Sequence, residues 1–300
     1  MPHDHHIDPK AGDGRLIWAV AVNLGLTVAQ IIGGLLSGSL ALIADALHNL
    51  SDAVALIIAF AARKIARKGA TPEMTFGYGR AEVIAALINY TTLILLGIYL
   101  IYEAVLRLFN PEVVDGWLVV IIAGIALVVD LVTAALTFAM SKDSVNIRAA
   151  FLHNLADALG SVAVIVAGTL ILLFDWQIID PLVTFGIAGY ILWMSFAEIG
   201  GVIRILMLGT PGGFDTQSIL ADMRAVEGVQ DIHHAHLWQM QEHDAALEAH
   251  VVLAEGRWGD ADQIKDALKQ ALAKAGIHHS TLELECARHA CHDAQVIGHS

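Results

Sequence analysis

The chain has 300 residues, 56% hydrophobic and only 16% charged, against roughly 25% charged residues in a soluble globular protein. A formal net charge of -13 speaks against a nucleic-acid partner. The two cysteines, Cys286 and Cys291, exclude a disulfide scaffold and leave only a weak metal-binding role.

Met1 to Gly14 is polar and reads as a disordered soluble tail. Its His3, His5 and His6 suit either weak metal collection or no binding at all. The stretch lacks the basic region and apolar run of a cleaved signal, so the first hydrophobic segment is expected to be retained. Six apolar segments follow, near 16–36, 40–62, 82–108, 116–139, 147–174 and 178–203. Each approaches or exceeds the roughly 20 residues needed to cross the hydrocarbon of a bilayer. Residues 15–208 are therefore expected to form an all-α transmembrane domain of six helices. Only Ser37-Gly38-Ser39 separates the first two segments, and the stretch around Asp175 to Gln177 separates the last two, so both pairs must be tight hairpins.

Basic residues set the orientation. Lys10, Arg15, Arg63, Lys64, Arg67, Lys68, Arg80, Lys142, Arg148 and Arg204 fall on one side, against Arg107 on the other. The positive-inside rule makes the first side cytoplasmic, with both termini on it. The basic loop 63–80 passes through Phe76-Gly77-Tyr78-Gly79-Arg80 into the third span. Its glycines follow no strand, so a nucleotide-binding reading fails.

After Gly209 the chain turns polar, acidic and rich in histidine. Helices are expected over Asp215–Glu227, with Asp215 as cap, and over Asp262–Ala275, where Ile264, Leu268 and Leu272 recur at helical spacing. Strands are expected over Ile232–Met240, Ala246–Leu253 and Ser280–Cys286. The order α-β-β-α-β over 209–287 describes a small α+β cytoplasmic domain, ferredoxin-like or metallochaperone-like, with its helices on one face of a three-stranded sheet. Residues 288–300 form a Cys/His-containing tail.

The chemistry centres on a phrase stated twice, Leu47-His48-Asn49-Leu50-Ser51-Asp52-Ala53 and Leu152-His153-Asn154-Leu155-Ala156-Asp157-Ala158. In each copy the His and the Asp are one helical turn apart and share a face. Carboxylates inside apolar spans are costly and mark ion or proton paths. Two such faces turned together supply two imidazoles and two carboxylates, a tetrahedral divalent-metal site of His48, Asp52, His153 and Asp157. That donor set suits Zn²⁺, with Cd²⁺, Co²⁺ or Fe²⁺ compatible, and argues against Cu⁺ and Mg²⁺. Asp45, Asn49, Asn154 and Asp130 are secondary residues of the path. The two asparagines support the ligands or contact neighbouring helices, and Asp130, with no basic residue in its span, is expected to face a wet cavity. Buried amides such as Asn23, Gln30 and Asn89 read as helix-packing groups.

Neutral imidazole binds metal, so metal and protons compete for the same atoms. A site facing the two sides alternately would exchange one for the other. No GxxxxGK[ST] motif is present, which fits a secondary transporter rather than an ATP-driven pump or an enzyme. The rival reading is a membrane metal sensor that binds without transport.

These residues resemble the cation diffusion facilitator family, in particular its bacterial zinc, cadmium and cobalt efflux branch. The likeness rests on the paired HxxxD motifs, the Phe76-Gly77-Tyr78-Gly79-Arg80-Ala81-Glu82 loop and the phrase His233-His234-Ala235-His236-Leu237-Trp238. The resemblance implies a homodimer in the bacterial cytoplasmic membrane that exports metal in exchange for protons, with no nucleotide or nucleic-acid partner. It places the transport site on His48, Asp52, His153 and Asp157. A cytoplasmic regulatory site would fall on His233, His250, Glu283 and Glu285, with His234 as an alternative ligand. The two glutamates stand where some members have His and Asp, which puts a shared binuclear zinc site in doubt. Cys286, His289, Cys291 and His292 are weaker candidates from the tail.

Overall fold

A computed structural model describes residues 10–140, 145–241, 244–291 and 295–298, with side chains outside 10–23, 56, 136–140, 145–151 and 153. The chain divides into two compact units. One is Met1–Ile58 with Ile88–Glu198, and the other is Ala59–Leu87 with Ile199–Ser300.

Long apolar stretches form α1 (Lys10–Ser37), α2 (Leu40–Ala66), α3 (Ala81–Phe109), α4 (Gly116–Met140), α5 (Val145–Phe174) and α6 (Ile179–Leu206). They hold one proline, Pro181 in the first turn of α6, where its missing N–H has no helical partner to lose. Among the described residues, five helices are long and apolar enough to cross a membrane; the apolar part of α1 counted there, Leu24–Ser37, is shorter. Together they make an all-α membrane domain. Its outward faces carry exposed apolar side chains such as Leu95, Ile98, Ile121, Ile125 and Trp193, as a surface solvated by lipid requires. Helix α1 begins at Lys10, so Lys10–Gly14 is helical rather than part of a disordered tail. His3, His5 and His6 lie outside the described residues.

Helix α2 sits at the centre of this unit. Leu40 and Ala44 pack with Leu93 and Leu100 of α3 and Ile191 of α6. Ala41 and Leu42 pack with Val119 and Ala123 of α4 and Val164 of α5. Its N-terminus is fixed by a polar knot. Ser39 Oγ accepts from the Leu42 N–H at 3.1 Å and donates to Asp180 at 2.5 Å. Asp180 also accepts from the backbone N–H groups of Leu40 at 2.8 Å and Ala41 at 3.2 Å. A carboxylate on orphan N–H groups at the positive end of a helix is favourable by both hydrogen bonding and dipole. Arg107 lies 3.6 Å from that carboxylate and donates to the Gly38 carbonyl. Gly38 adopts φ +70, where a side chain would be strained.

In the other unit, α7 (Thr216–Arg224), β1 (Val229–Gln241), β2 (Asp244–Leu253), α8 (Ala261–Lys274) and β3 (His279–Cys286) follow the expected order. Asp215 caps α7 by accepting from the Gln217 N–H at 3.1 Å. The sheet runs β1-β2-β3, antiparallel then parallel. The parallel pair needs a crossover, which α8 supplies. Ile219, Met223, Ile232, Leu247, Leu268 and Leu272 lie in one buried core under the helices. Between His233 and His236 the pairing of β1 with β2 slips, and His234 takes φ +50. This bulge turns the N–H groups of His234 and Ala235 to the carbonyls of Gln295 and Val296, at 2.9 and 3.0 Å. The C-terminal tail therefore docks on β1 where β2 lets go. Within the same unit, Arg80 donates through Nε to the Met240 carbonyl at 3.0 Å.

Candidate metal centres

Helical spacing places His48 and Asp52 on one face of α2, with His48 Nε2 3.7 Å from Asp52 Oδ2. Asp157 on α5 brings its Oδ1 to 3.5 Å from the same nitrogen. Donor atoms of the three lie within 4.8 Å of one another. Ligands bound at about 2.0–2.2 Å in a tetrahedron sit roughly 3.3–3.6 Å apart, so small side-chain adjustments close the set around an ion. The His153 side chain lies outside the described residues; its backbone is on α5, one turn before Asp157.

A polar network holds this face. Gln30 of α1 donates to Asp45 at 2.7 Å and accepts from Asn49 Nδ2 at 3.2 Å. Asn49 therefore turns toward α1 and supports the helix rather than the ion. Asp45 is buried and interacts electrostatically with His48, Asp157 and Asp130. Gly160 allows this approach, since a Cβ there would lie 3.3 Å from Asp45 Oδ1. Asp130 accepts from the buried Ser161 hydroxyl at 3.0 Å, so α5 supplies a protein partner where a wet cavity is expected from the sequence. Asn154 is half-buried beside its copy of the motif. Tyr190 of α6 sets its ring edge-on to His48, 6.5 Å between centroids.

The second cluster comes from strand register. His233 pairs with His250 across β1 and β2, and His250 stands opposite Glu283 on β3. His250 Nδ1 lies 2.7 Å from Glu285 Oε1 and its Nε2 lies 3.4 Å from Glu283. His233 Nε2 is 3.3 Å from Glu285 Oε2, yet that buried nitrogen makes no hydrogen bond. Cys291 completes the group: its Sγ lies 3.5 Å from Glu285 Oε1 and 4.0 Å from His250 Nδ1. Donors of His233, His250, Glu285 and Cys291 all fall within 4.8 Å of one another. Burial raises the Glu285 carboxyl, but the His250 hydrogen bond, the Cys291 N–H and thiol and the charge of His233 outweigh it and hold it below the usual range. Partial desolvation and then the Glu285 charge push the Cys291 thiol up.

Residues 16–207 match the model of the cation efflux transmembrane domain, and 211–285 match that of the cation efflux protein cytoplasmic domain. The chain belongs to the cation diffusion facilitator family. Within it, the chain is 35% identical over 300 residues to the cadmium, cobalt and zinc/H(+)-K(+) antiporter of Bacillus velezensis, covering 99% of this chain and 96% of that one. It is 36% identical over 292 residues to the zinc transporter ZitB of Pectobacterium atrosepticum, covering 96% and 90%. A solved metal-bound C-terminal domain of the CzcD transporter, from Cuprividus metallidurans, matches 24% of this chain and 99% of its own at 30% identity, with a TM-score of 0.23. The family models and the two full-length transporter relatives place the chain in the bacterial zinc, cadmium and cobalt efflux branch, among multi-pass membrane transporters rather than enzymes.

Not every C-terminal candidate named from the sequence joins the converging donors. Glu283, read as a ligand, has a largely exposed side chain and touches His250 only from the rim. Of the tail candidates, Cys291 joins the cluster while Cys286 and His289 do not; the turn closed by the His289 N–H on the Cys286 carbonyl at 2.9 Å carries the chain back to the sheet. His234 keeps its ring 5.0 Å from that of His250, but the bulge leaves it outside the four converging donors. His292 lies outside the described residues. Gln30 and Asp180 are absent from the sequence-based site, because a lone amide and an aspartate at a helix end carry no periodic signal.

Proposed function

We propose that the protein is a proton-coupled antiporter that exports Zn²⁺, and also Cd²⁺ or Co²⁺, from the bacterial cytoplasm. The observation that carries this reading is the convergence of His48, Asp52 and Asp157 from two apolar helices. The relatives' names, which couple cadmium, cobalt and zinc to protons, support it. His153 supplies the fourth ligand from its place one turn before Asp157. Six spans cross the cytoplasmic membrane with both termini inside, as the basic residues indicate. The C-terminal unit is a ferredoxin-like α+β domain that pairs two copies into a homodimer and carries a regulatory metal site on His233, His250 and Glu285.

Coupling follows from ligand chemistry. A proton on either imidazole removes a lone pair the metal needs, and a proton on either carboxylate removes the charge that holds it. A site open outward in a proton-rich medium releases metal and loads protons. Open inward, it releases protons and binds metal. Reconstituted protein in vesicles with a fixed pH gradient, compared with zinc, cadmium, cobalt, iron and manganese, tests the proposal. Transport of the first three, with little movement of manganese, is expected. Metal binding without flux would turn the reading to a sensor.

A further inference from the structure

The tail's approach to the C-terminal cluster rests on two attachments. At one end Cys291 faces Glu285 and His250, and its own N–H donates to Glu285 Oε2 at 3.3 Å. At the other end the chain lies along β1: Ile297 pairs with Ala235, and the Gly298 N–H donates to the Ala235 carbonyl at 3.3 Å. The segment thus leaves the sheet at β3, one edge strand, and returns at β1, the other. Backbone hydrogen bonds explain the β1 end. They do not explain why a thiol should sit beside a half-buried imidazole, that of His250, and a carboxylate.

Metal coordination does. The buried His233 Nε2 lacks a hydrogen bond and is aimed at the Glu285 carboxylate. Leaving such a group unsatisfied is costly unless something absent from the protein chain completes it. Tetrahedral zinc, with Zn–S near 2.3 Å and Zn–N near 2.0–2.1 Å, sets sulfur and nitrogen roughly 3.6 Å apart. Cys291 Sγ lies 4.0 Å from His250 Nδ1, a little beyond that spacing, and 3.5 Å from the Glu285 Oε1 oxygen. We propose that Cys291 is the fourth ligand of the C-terminal site, so that a bound Zn²⁺ or Cd²⁺ fastens the returning tail to the sheet. All four donors come from one chain, and the thiolate tilts the site toward soft ions, cadmium above all. On binding, the Cys291 S–H proton is released to solvent and the sulfur lone pair forms the S–metal bond. This inference rests on the reading of His233, His250 and Glu285 as a metal site.

Cobalt(II) titration of the full-length protein in detergent tests it, because thiolate ligation gives a sulfur-to-cobalt charge-transfer band that the sulfur-free membrane site cannot produce. The band is expected in the unaltered protein and in Cys286→Ser, and absent in Cys291→Ser. Even partners outside the coordination sphere change metal affinity roughly 10–100-fold, so Cys291→Ser should weaken cadmium binding at this site at least tenfold. Saturating Zn²⁺ should also slow alkylation of Cys291 by N-ethylmaleimide, read by mass spectrometry. If cobalt binds with a stoichiometry that His250→Ala lowers, but no charge-transfer band forms, the cysteine assignment is wrong while the three-residue site stands. If His250→Ala leaves stoichiometry unchanged, both fall.

Discussion

The two clusters use similar donors in opposite settings. On α2 and α5 the donors are nitrogen and oxygen only, carried by apolar helices, and His48 Nε2 lies 3.5 Å from Asp157 and 3.7 Å from Asp52, at or just beyond the spacing of two ligands on one ion. On the sheet, His250 and Glu285 are hydrogen-bonded at 2.7 Å, closer than two ligands of one ion, and a sulfur arrives on a tail rather than on a regular element. The first arrangement suits an ion that must bind and leave, since borderline ligands that titrate near neutrality let protons displace it. The second suits an ion that stays, because a thiolate and a cross-strand imidazole pair hold zinc or cadmium with softer, stronger bonds. Transport and regulation thus call for different grips on the same metal.

Several substitutions can break or sharpen that contrast. Asp157→Ala removes the one described donor that α5 brings to the membrane cluster, and zinc uptake by reconstituted vesicles should fall to that of protein-free vesicles. Uptake at half the normal rate or more would dissociate α5 from the transport site. Asp180→Ala strips the α2 N-terminus of three hydrogen bonds and leaves Arg107 without its buried partner. Breaking a buried ion pair from one side costs about 3–5 kcal/mol, so thermal unfolding in detergent should occur at markedly lower temperature. An unshifted midpoint would mean that the knot does not anchor the central helix.

A smaller effect separates regulation from transport. His250→Ala should leave the maximal zinc flux nearly intact while raising the zinc concentration for half-maximal flux by about tenfold; complete loss of flux would join the two clusters into one function. Gln30→Leu removes the donor to Asp45 and the acceptor for Asn49, a loss of about 1–3 kcal/mol readable as reduced thermal stability. Asp215→Ala should cost only about 1 kcal/mol, visible as faster hydrogen exchange confined to α7 in the full chain.

Much of the membrane cluster is legible in the sequence because helical periodicity converts spacing into geometry. His48 and Asp52 must share a face once their helix is granted, and the same phrase on α5 marks its partner. The supporting residues are not legible in this way. Gln30 looks like any buried amide, and its role depends on which helix α1 meets. The C-terminal cluster is harder still. His233 and His250 meet through a register that neither strand states alone, and the bulge at His234 leaves that alternative ligand outside the converging donors. Cys291 is a ligand candidate by chemistry, but only a turn after β3 and a bridge to β1 bring it to the others. Element order in this domain is easier to read, since Asp215, the repeat of Ile264, Leu268 and Leu272, and the alternation along β3 are all local signals.

The most direct test measures zinc and protons together in vesicles containing the reconstituted protein, with one dye for each ion. An inward zinc gradient should drive zinc entry with simultaneous proton exit, and both signals should vanish in Asp52→Ala and Asp157→Ala. Zinc entry without proton movement, or paired fluxes that survive in those variants, would contradict proton exchange at the His48, Asp52 and Asp157 cluster.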